Sequence, residues 1–144
     1  MILVDANLLL YAYDAQSPMH EKARRWLEDC FSRSEPFCFS WVTLTAFIRI
    51  STNLRVFHYP LSVVEAVRVV DEWVQQPNAV ILNPGEHHWQ IFSKYLKDSQ
   101  ATGPLATDAH LAALAVEHGA TLGTNDRDFS RFKGLKLLFP LEAQ

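Results

Sequence analysis

The sequence predicts an α/β fold: three layers, with a central parallel sheet of four to five strands and helices on both faces. Two observations carry this expectation. Short apolar runs alternate with longer amphipathic stretches, the pattern of strand–helix–strand units whose strands lie parallel. The chain has 144 residues, 49% of them hydrophobic and 20% charged, which is large enough to bury a core and too apolar to stay unfolded. No repeat, low-complexity tract or long linker interrupts it, so residues 1–144 read as one domain.

Taken in order, Ile2 to Val4 reads as a first strand ending at Asp5. Pro18 to Phe31 reads as a helix with Ala23, Trp26, Leu27 and Cys30 on one face. Phe37 to Phe39 is a second short strand, and Trp41 to Leu54 is apolar at helical spacing. Ser62 followed three residues later by Glu65 forms a capping box, opening a helix that runs to about Gln75 before Pro77. Ala79 to Leu82 is a third strand and Glu86 to Lys97 a further amphipathic helix. Thr107 reads as the N-cap of a helix from Asp108 to His118, closed by Gly119, where a left-handed residue commonly ends a helix. Ala120 to Thr124 follows as a fourth strand, then a short helix from about Asp126 to Phe132 and a last strand from Lys136 to Phe139.

The formal net charge of −3 does not announce a nucleic-acid binder, nor does it exclude one, because carboxylates gathered to hold a cation inflate the acidic count. Cys30 and Cys38 stand alone, without a CxxC or a Cys/His cluster, so neither a disulfide framework nor a zinc site is expected. The opening MILVDANLLLYAY carries Asp5 in its middle and no basic leader, which argues against a signal peptide. No apolar run is long enough to span a membrane, and the cytoplasm is the expected address.

In open parallel sheets, ligands gather beyond the carboxyl ends of the strands. Asp5 directly follows the first strand and Asp126 follows the fourth after only Asn125, so both project at one edge if those strands are neighbours. Asp108, expected at the first turn of its helix, is placed to converge on them. Three carboxylates brought together repel one another, and a divalent cation removes that penalty. Mg²⁺ and Mn²⁺ prefer such hard oxygen ligands and keep waters that can attack a phosphodiester. Each acid also has a plainer reading: Asp108 and Asp126 as helix caps or dipole partners, Asp128 as decoration of a first turn. Asp5, an acid closing an apolar strand, has the weakest local explanation. Asn7 and Thr124 stand beside these acids as groups able to orient a ligand or water, or simply as caps and turn residues.

At VDANLLLYAYD, FSWVTLTAFIRISTN, TDAHLAALAVEHGATLGTNDRDF and GLKLLFPL the chain resembles the PIN-domain ribonucleases, specifically the VapC-type toxins of bacterial toxin–antitoxin pairs. The resemblance spans nearly the whole chain. It implies a PIN-like fold, dependence on Mg²⁺ or Mn²⁺, RNA as substrate, a homodimer and a cognate antitoxin. By similarity Asp5 matches the first family acid, Asp108 the third and Asp126 the fourth, with Asn7 and Thr124 at the polar positions beside them. The second acid, usually a Glu on the helix after the second strand, falls at Ala46. That departure puts full two-metal chemistry in question, with Asp128 or a water as candidate replacement.

Arg49 lies three residues beyond Ala46 on the same helical face and could meet a phosphate; a surface salt bridge is the plainer role. Arg127, Arg131, Lys133 and Lys136 form a basic cluster able to contact an RNA backbone, or a solvated face. The six histidines form no metal motif and read as structural or surface residues. Trp26, Trp41, Phe47, Trp73 and Trp89 read as core or as an interface for a partner's apolar segment. Two other classes compete with a nuclease: a non-catalytic RNA-binding regulatory module, and a phosphohydrolase with Asp5 as covalent nucleophile. The second is weakened by Asn7 standing where a general acid is needed.

Overall fold

The computed structural model describes residues 1–142; the last two residues of the expected 1–144 unit lie outside the described residues. Five strands, β1 (Ile2–Val4), β2 (Phe37–Phe39), β3 (Ala79–Ile81), β4 (Thr121–Gly123) and β5 (Lys136–Leu138), form one sheet in the order β3-β2-β1-β4-β5. Every neighbouring pair is parallel, and β1 pairs with β4 in the register Ile2↔Thr121, Leu3↔Leu122, Val4↔Gly123. The expected α/β sheet is therefore present with all five strands.

Alternation along the strands sends side chains to two separate cores. On one side Ile2, Val4, Phe37 and Phe39 pack with α1 (Ala6–Tyr13), α2 (His20–Ser32), α3 (Trp41–Ser51) and α4 (Val63–Val74). On the other, Leu3, Cys38 and Leu122 pack with α5 (His88–Asp98), α6 (Pro104–His118) and the short 3-10 helix Arg127–Arg131. Fully burying one such Leu or Phe side chain contributes roughly 1.5–3 kcal/mol. In α6, Ala109, Ala112, Ala113 and Ala115 are all buried, and their small side chains let the helix lie close to the sheet. Phe47 and Trp73 are buried edge-to-face with ring centroids 4.6 Å apart, whereas Trp41 and Trp89 are exposed at 59% and 67%. Cys30 and Cys38 are both free and buried.

Most boundaries fall within a residue or two of expectation, and the Ser62–Glu65 capping box is formed in both directions. Two expectations need correction. Residues 6–13 form a helix that the sequence did not announce: Leu8, Leu9 and Ala12 are buried and the segment is apolar nearly all round, so no amphipathic stripe marks it. Helix α6 starts at Pro104, not after Thr107; Gly103 in a positive-φ conformation (59°) turns the chain, and Pro104 supplies a first-turn residue with no N–H to satisfy. The short helix expected after Asp126 is present as a five-residue 3-10 helix, Arg127–Arg131. Gly119 does close α6 in the left-handed region, at φ 67°. No helix among the described residues is long and apolar enough to cross a membrane.

Candidate active site

The chain enters the sheet at its centre, builds outward through β2 and β3, then returns to add β4 and β5 on the other side. The carboxyl ends of β1 and β4 are thus the point where successive connections diverge to opposite faces, the crevice in which open α/β sheets bind ligands. Asp5 leaves β1 there and Asp126 leaves β4 there, as the strand-end argument expected.

A hydrogen-bond network ties these two acids together. Asp5 Oδ1 accepts from the Ala6 N–H at 2.7 Å and Oδ2 from the Thr124 hydroxyl at 2.7 Å. The same Thr124 oxygen accepts the Asp126 N–H at 3.0 Å, and the Asn7 side chain reaches both Thr124 Oγ1 and the Asn125 N–H at 3.4 Å. Thr124 is fully buried, so its hydroxyl is a fixed strut between the strand ends. Asp126 Oδ1 accepts the Asp128 N–H at 2.9 Å and caps the 3-10 helix. Asp5 is the N-cap of α1, so it has the local structural role that the sequence did not reveal, and the missed helix is the reason.

Asp108 is different. With α6 beginning at Pro104, it sits in the second turn of that helix, past the capping positions, so capping does not account for it. Its carboxylate makes no hydrogen bond among the described residues. Burial, then the charges of Asp5, Asp126 and Asp128, push its carboxyl up to about 6, with Arg131 acting in the opposite direction. Burial likewise pushes Asp5 above the usual carboxylate range, partly offset by the Thr124 and Ala6 hydrogen bonds, while the Asp126 charge adds to the rise. The structure thus brings the three aspartates within each other's field. Among the described residues, no group of three or more His, Cys, Asp or Glu side chains is arranged to hold a metal ion as the carboxylates stand. Mutual repulsion of like charges favours such a spread arrangement. In chemistry, the donor set fits a hard divalent cation: carboxylate oxygens only, one carboxylate free of internal partners.

Asp128 lies exposed at the margin, 3.8 Å from Arg131. Ala46 and Arg49 line a cavity of about 390 Å³ with Trp41, Val42, Thr45 and Thr107, the neighbour of Asp108, and that cavity has no carboxylate in its wall. Arg49 makes no ion pair among the described residues, so the salt-bridge role is not observed there. Arg127 is drawn the other way: it pairs with Glu142 and its guanidinium lies 4.2 Å from the centre of the Phe139 ring. Those partners are distant in sequence, which is why the basic cluster looked continuous. Lys136 opens β5 and is exposed. Among the histidines, His88 Nε2 and His110 Nδ1 lie 3.0 Å apart between α5 and α6, where burial lowers both imidazoles below their ordinary range.

Among known protein families, the one described as PIN domain matches residues 2–135. Ribonuclease VapC37 of Mycobacterium tuberculosis is 41% identical over 136 residues, covering 94% of either chain. Among solved structures, that of VapBC-1 from nontypeable Haemophilus influenzae superposes with a TM-score of 0.71 at 18% identity, covering 99% of this chain and 100% of the other. A toxin–antitoxin complex from Klebsiella pneumoniae gives 0.67 at 16%, covering 97% and 98%. At those identities the two structures speak for the fold alone.

Proposed function

This chain belongs to the PIN-domain family, and from that premise we propose that it is a metal-dependent endoribonuclease acting in the cytoplasm as the toxin of a toxin–antitoxin pair. Supporting the reading, Asp5 and Asp126 leave the carboxyl ends of the paired strands β1 and β4, and their charges act on the Asp108 carboxylate, which burial already raises and which makes no hydrogen bond among the described residues.

Asp5, Asp108 and Asp126 would hold Mg²⁺ or Mn²⁺, with Asp128 at the margin. A divalent cation bound there supplies charge stabilisation at the scissile phosphate and acidifies water. The remaining work falls to the chain itself. Thr124 fixes one oxygen of Asp5 and the backbone of Asp126 at once, so both carboxylates keep their positions while substrate enters. Asn7 steadies the same strut from α1. The Asp108 carboxylate, which makes no hydrogen bond among the described residues, would have an oxygen open to accept a proton from attacking water. Arg131, whose charge acts on Asp108, and Arg49, which shares a cavity with Thr107, would offer cations to phosphate oxygens. A homodimer belongs to the same reading, with exposed Trp41, Val42 and Trp89 as apolar surface for a second copy to cover.

Cleavage of a panel of structured RNAs in Mn²⁺, Mg²⁺ and EDTA, comparing wild type with Asp5→Asn, tests the proposal. Cleavage that needs the metal and vanishes in the variant supports it; equal cleavage in all conditions contradicts it. Ala46, with no carboxylate to offer, favours a second reading: a non-catalytic RNA-binding module. RNA binding without metal uptake or cleavage would select that reading.

A further inference from the structure

Beside the acid site the chain opens a cavity of about 460 Å³, lined by Lys94, Tyr95, Asp98 and Ser99 at the end of α5 and by Arg131 and Lys133 after β4. We propose that this basic cavity holds the RNA phosphodiester backbone to one side of the scissile bond. The inference rests on the ribonuclease reading and extends it from the reacting atoms to the path of the substrate.

Three features support it. The first is charge. Three cations share the wall with one carboxylate, Asp98; Lys94 engages it at 2.8 Å, and Arg131 lies 3.8 Å from Asp128 outside the wall. Lys133 has no ion pair among the described residues. In a chain whose net charge is −3, a local cationic excess runs against the average and calls for an anionic ligand.

The second is continuity. Arg131 forms part of the cavity wall, and its guanidinium lies 3.8 Å from the carboxylate of Asp128, two residues after Asp126. Its side chain is steadied by Asp128, whose carbonyl oxygen accepts from Nε at 3.1 Å. A strand lying along the cavity would therefore run on past Arg131 and Asp128 toward Asp126. An acidic protein segment would fit the charge equally well, but nothing would require it to continue into the acid site.

The third is rigidity. The buried Tyr95 donates its hydroxyl to the Lys133 carbonyl oxygen at 2.6 Å, and its ring packs on Phe132 with centroids 5.2 Å apart. The loop carrying Lys133 is pinned to α5, so the cations are presented from a fixed platform. Phosphate contacts of this kind set the register and orientation of a strand without reading its sequence.

The test titrates a short fluorescein-labelled uridine oligomer and a stem-loop RNA into the full chain over a salt series, then measures stem-loop cleavage in Mn²⁺. Wild type is compared with Lys133→Gln, the double variant Lys94→Gln/Lys133→Gln, Lys133→Arg, and Lys22→Gln. Lys22 is exposed on α2, across the sheet, and controls for net charge. The double variant is expected to bind both RNAs several-fold more weakly, with the salt slope falling by about one for each phosphate that is no longer neutralised. KM should rise at constant kcat, and Lys133→Arg should behave as wild type. Unchanged slope and KM in the double variant overturn the proposal, as does equal weakening by Lys22→Gln. Retained RNA binding with weakened capture of a coexpressed antitoxin also overturns it, in favour of a protein contact. Wild type that binds RNA but does not cleave it counts against the ribonuclease reading, and the binding series still decides the cavity's role.

Discussion

The two sides of the acid site hold their carboxylates in opposite ways. On the strand side, Asp5 and Asp126 are bound into a lattice of Thr124, Asn7 and backbone N–H groups, and each also caps the helix that follows it. On the helix side, Asp108 makes no hydrogen bond among the described residues, and the cavity beside its neighbour Thr107 receives only a methyl group from Ala46. Burial raises the carboxyl of Asp5 as well as that of Asp108, but donors from Thr124 and Ala6 offset part of the rise at Asp5, while Asp108 has no hydrogen-bond donor among the described residues.

The largest expected effect separates function from capping on the strand side. Asp5→Asn keeps a good N-cap, with its amide donating to Thr124 Oγ1 in place of the carboxylate that accepted from it, so stability should largely hold while cleavage falls by ~10³-fold, several kcal/mol of barrier. Asp5→Ala should lose the same activity and, in addition, about 1 kcal/mol of stability through the missing cap. Parallel urea melts and cleavage assays distinguish the two; a stability loss in both variants would break the comparison.

Next in size is the strut. Thr124→Val retains the volume but removes the hydroxyl that serves Asp5 and Asp126 together, and should cost roughly 10–100-fold in metal affinity or activity. Arg49→Gln, by contrast, should raise KM for RNA only modestly, since the side chain is exposed and touches neither acid in the hydrogen-bond network.

On the helix side the expected signature is thermodynamic. The folded carboxyl of Asp108 titrates at about 6, above its unfolded value of about 3.9, so between those values the folded state binds the extra proton. Its stabilising contribution is present below the unfolded value and is lost as pH rises through about 6. In EDTA, Asp108→Asn should therefore raise stability above that pH by ~1 kcal/mol after allowance for solvent screening, and should match wild type at low pH. Thermal melts across a pH series check this. Ala46→Glu probes the same side at smaller scale. A new carboxylate facing the Asp108 side should tighten Mn²⁺ binding several-fold, and whether cleavage rises with it tells if the natural site is attenuated.

How far the sequence revealed this division follows from what each element leaves on its surface. The strands were legible because short apolar runs bounded by turns have few other solutions, and β1/β4 adjacency then followed the strand-end expectation for Asp5 and Asp126. Helix α1 was not legible: Leu8, Leu9 and Leu10 give it no polar stripe, and without it Asp5 looked like an acid lacking a structural role. The reverse error befell Asp108. Reading Thr107 as the cap placed Asp108 in a first turn, when Gly103–Pro104 start the helix a turn earlier and leave the acid without a local purpose. Arg127 and Lys94 depended on neighbours far away in the chain, Glu142 and Phe139 in one case and the Lys133 loop in the other. Such pairings leave no periodic trace.

The carboxylate of Asp108, without a hydrogen bond among the described residues, is proposed to complete a divalent-cation site with Asp5 and Asp126. Calorimetric titration of Mn²⁺ into wild type and Asp108→Asn, at a pH where Asp108 is ionised, tests it most directly. Saturable binding by wild type that is abolished in Asp108→Asn is the expected result. Equal binding by both proteins, or none by wild type, would contradict it.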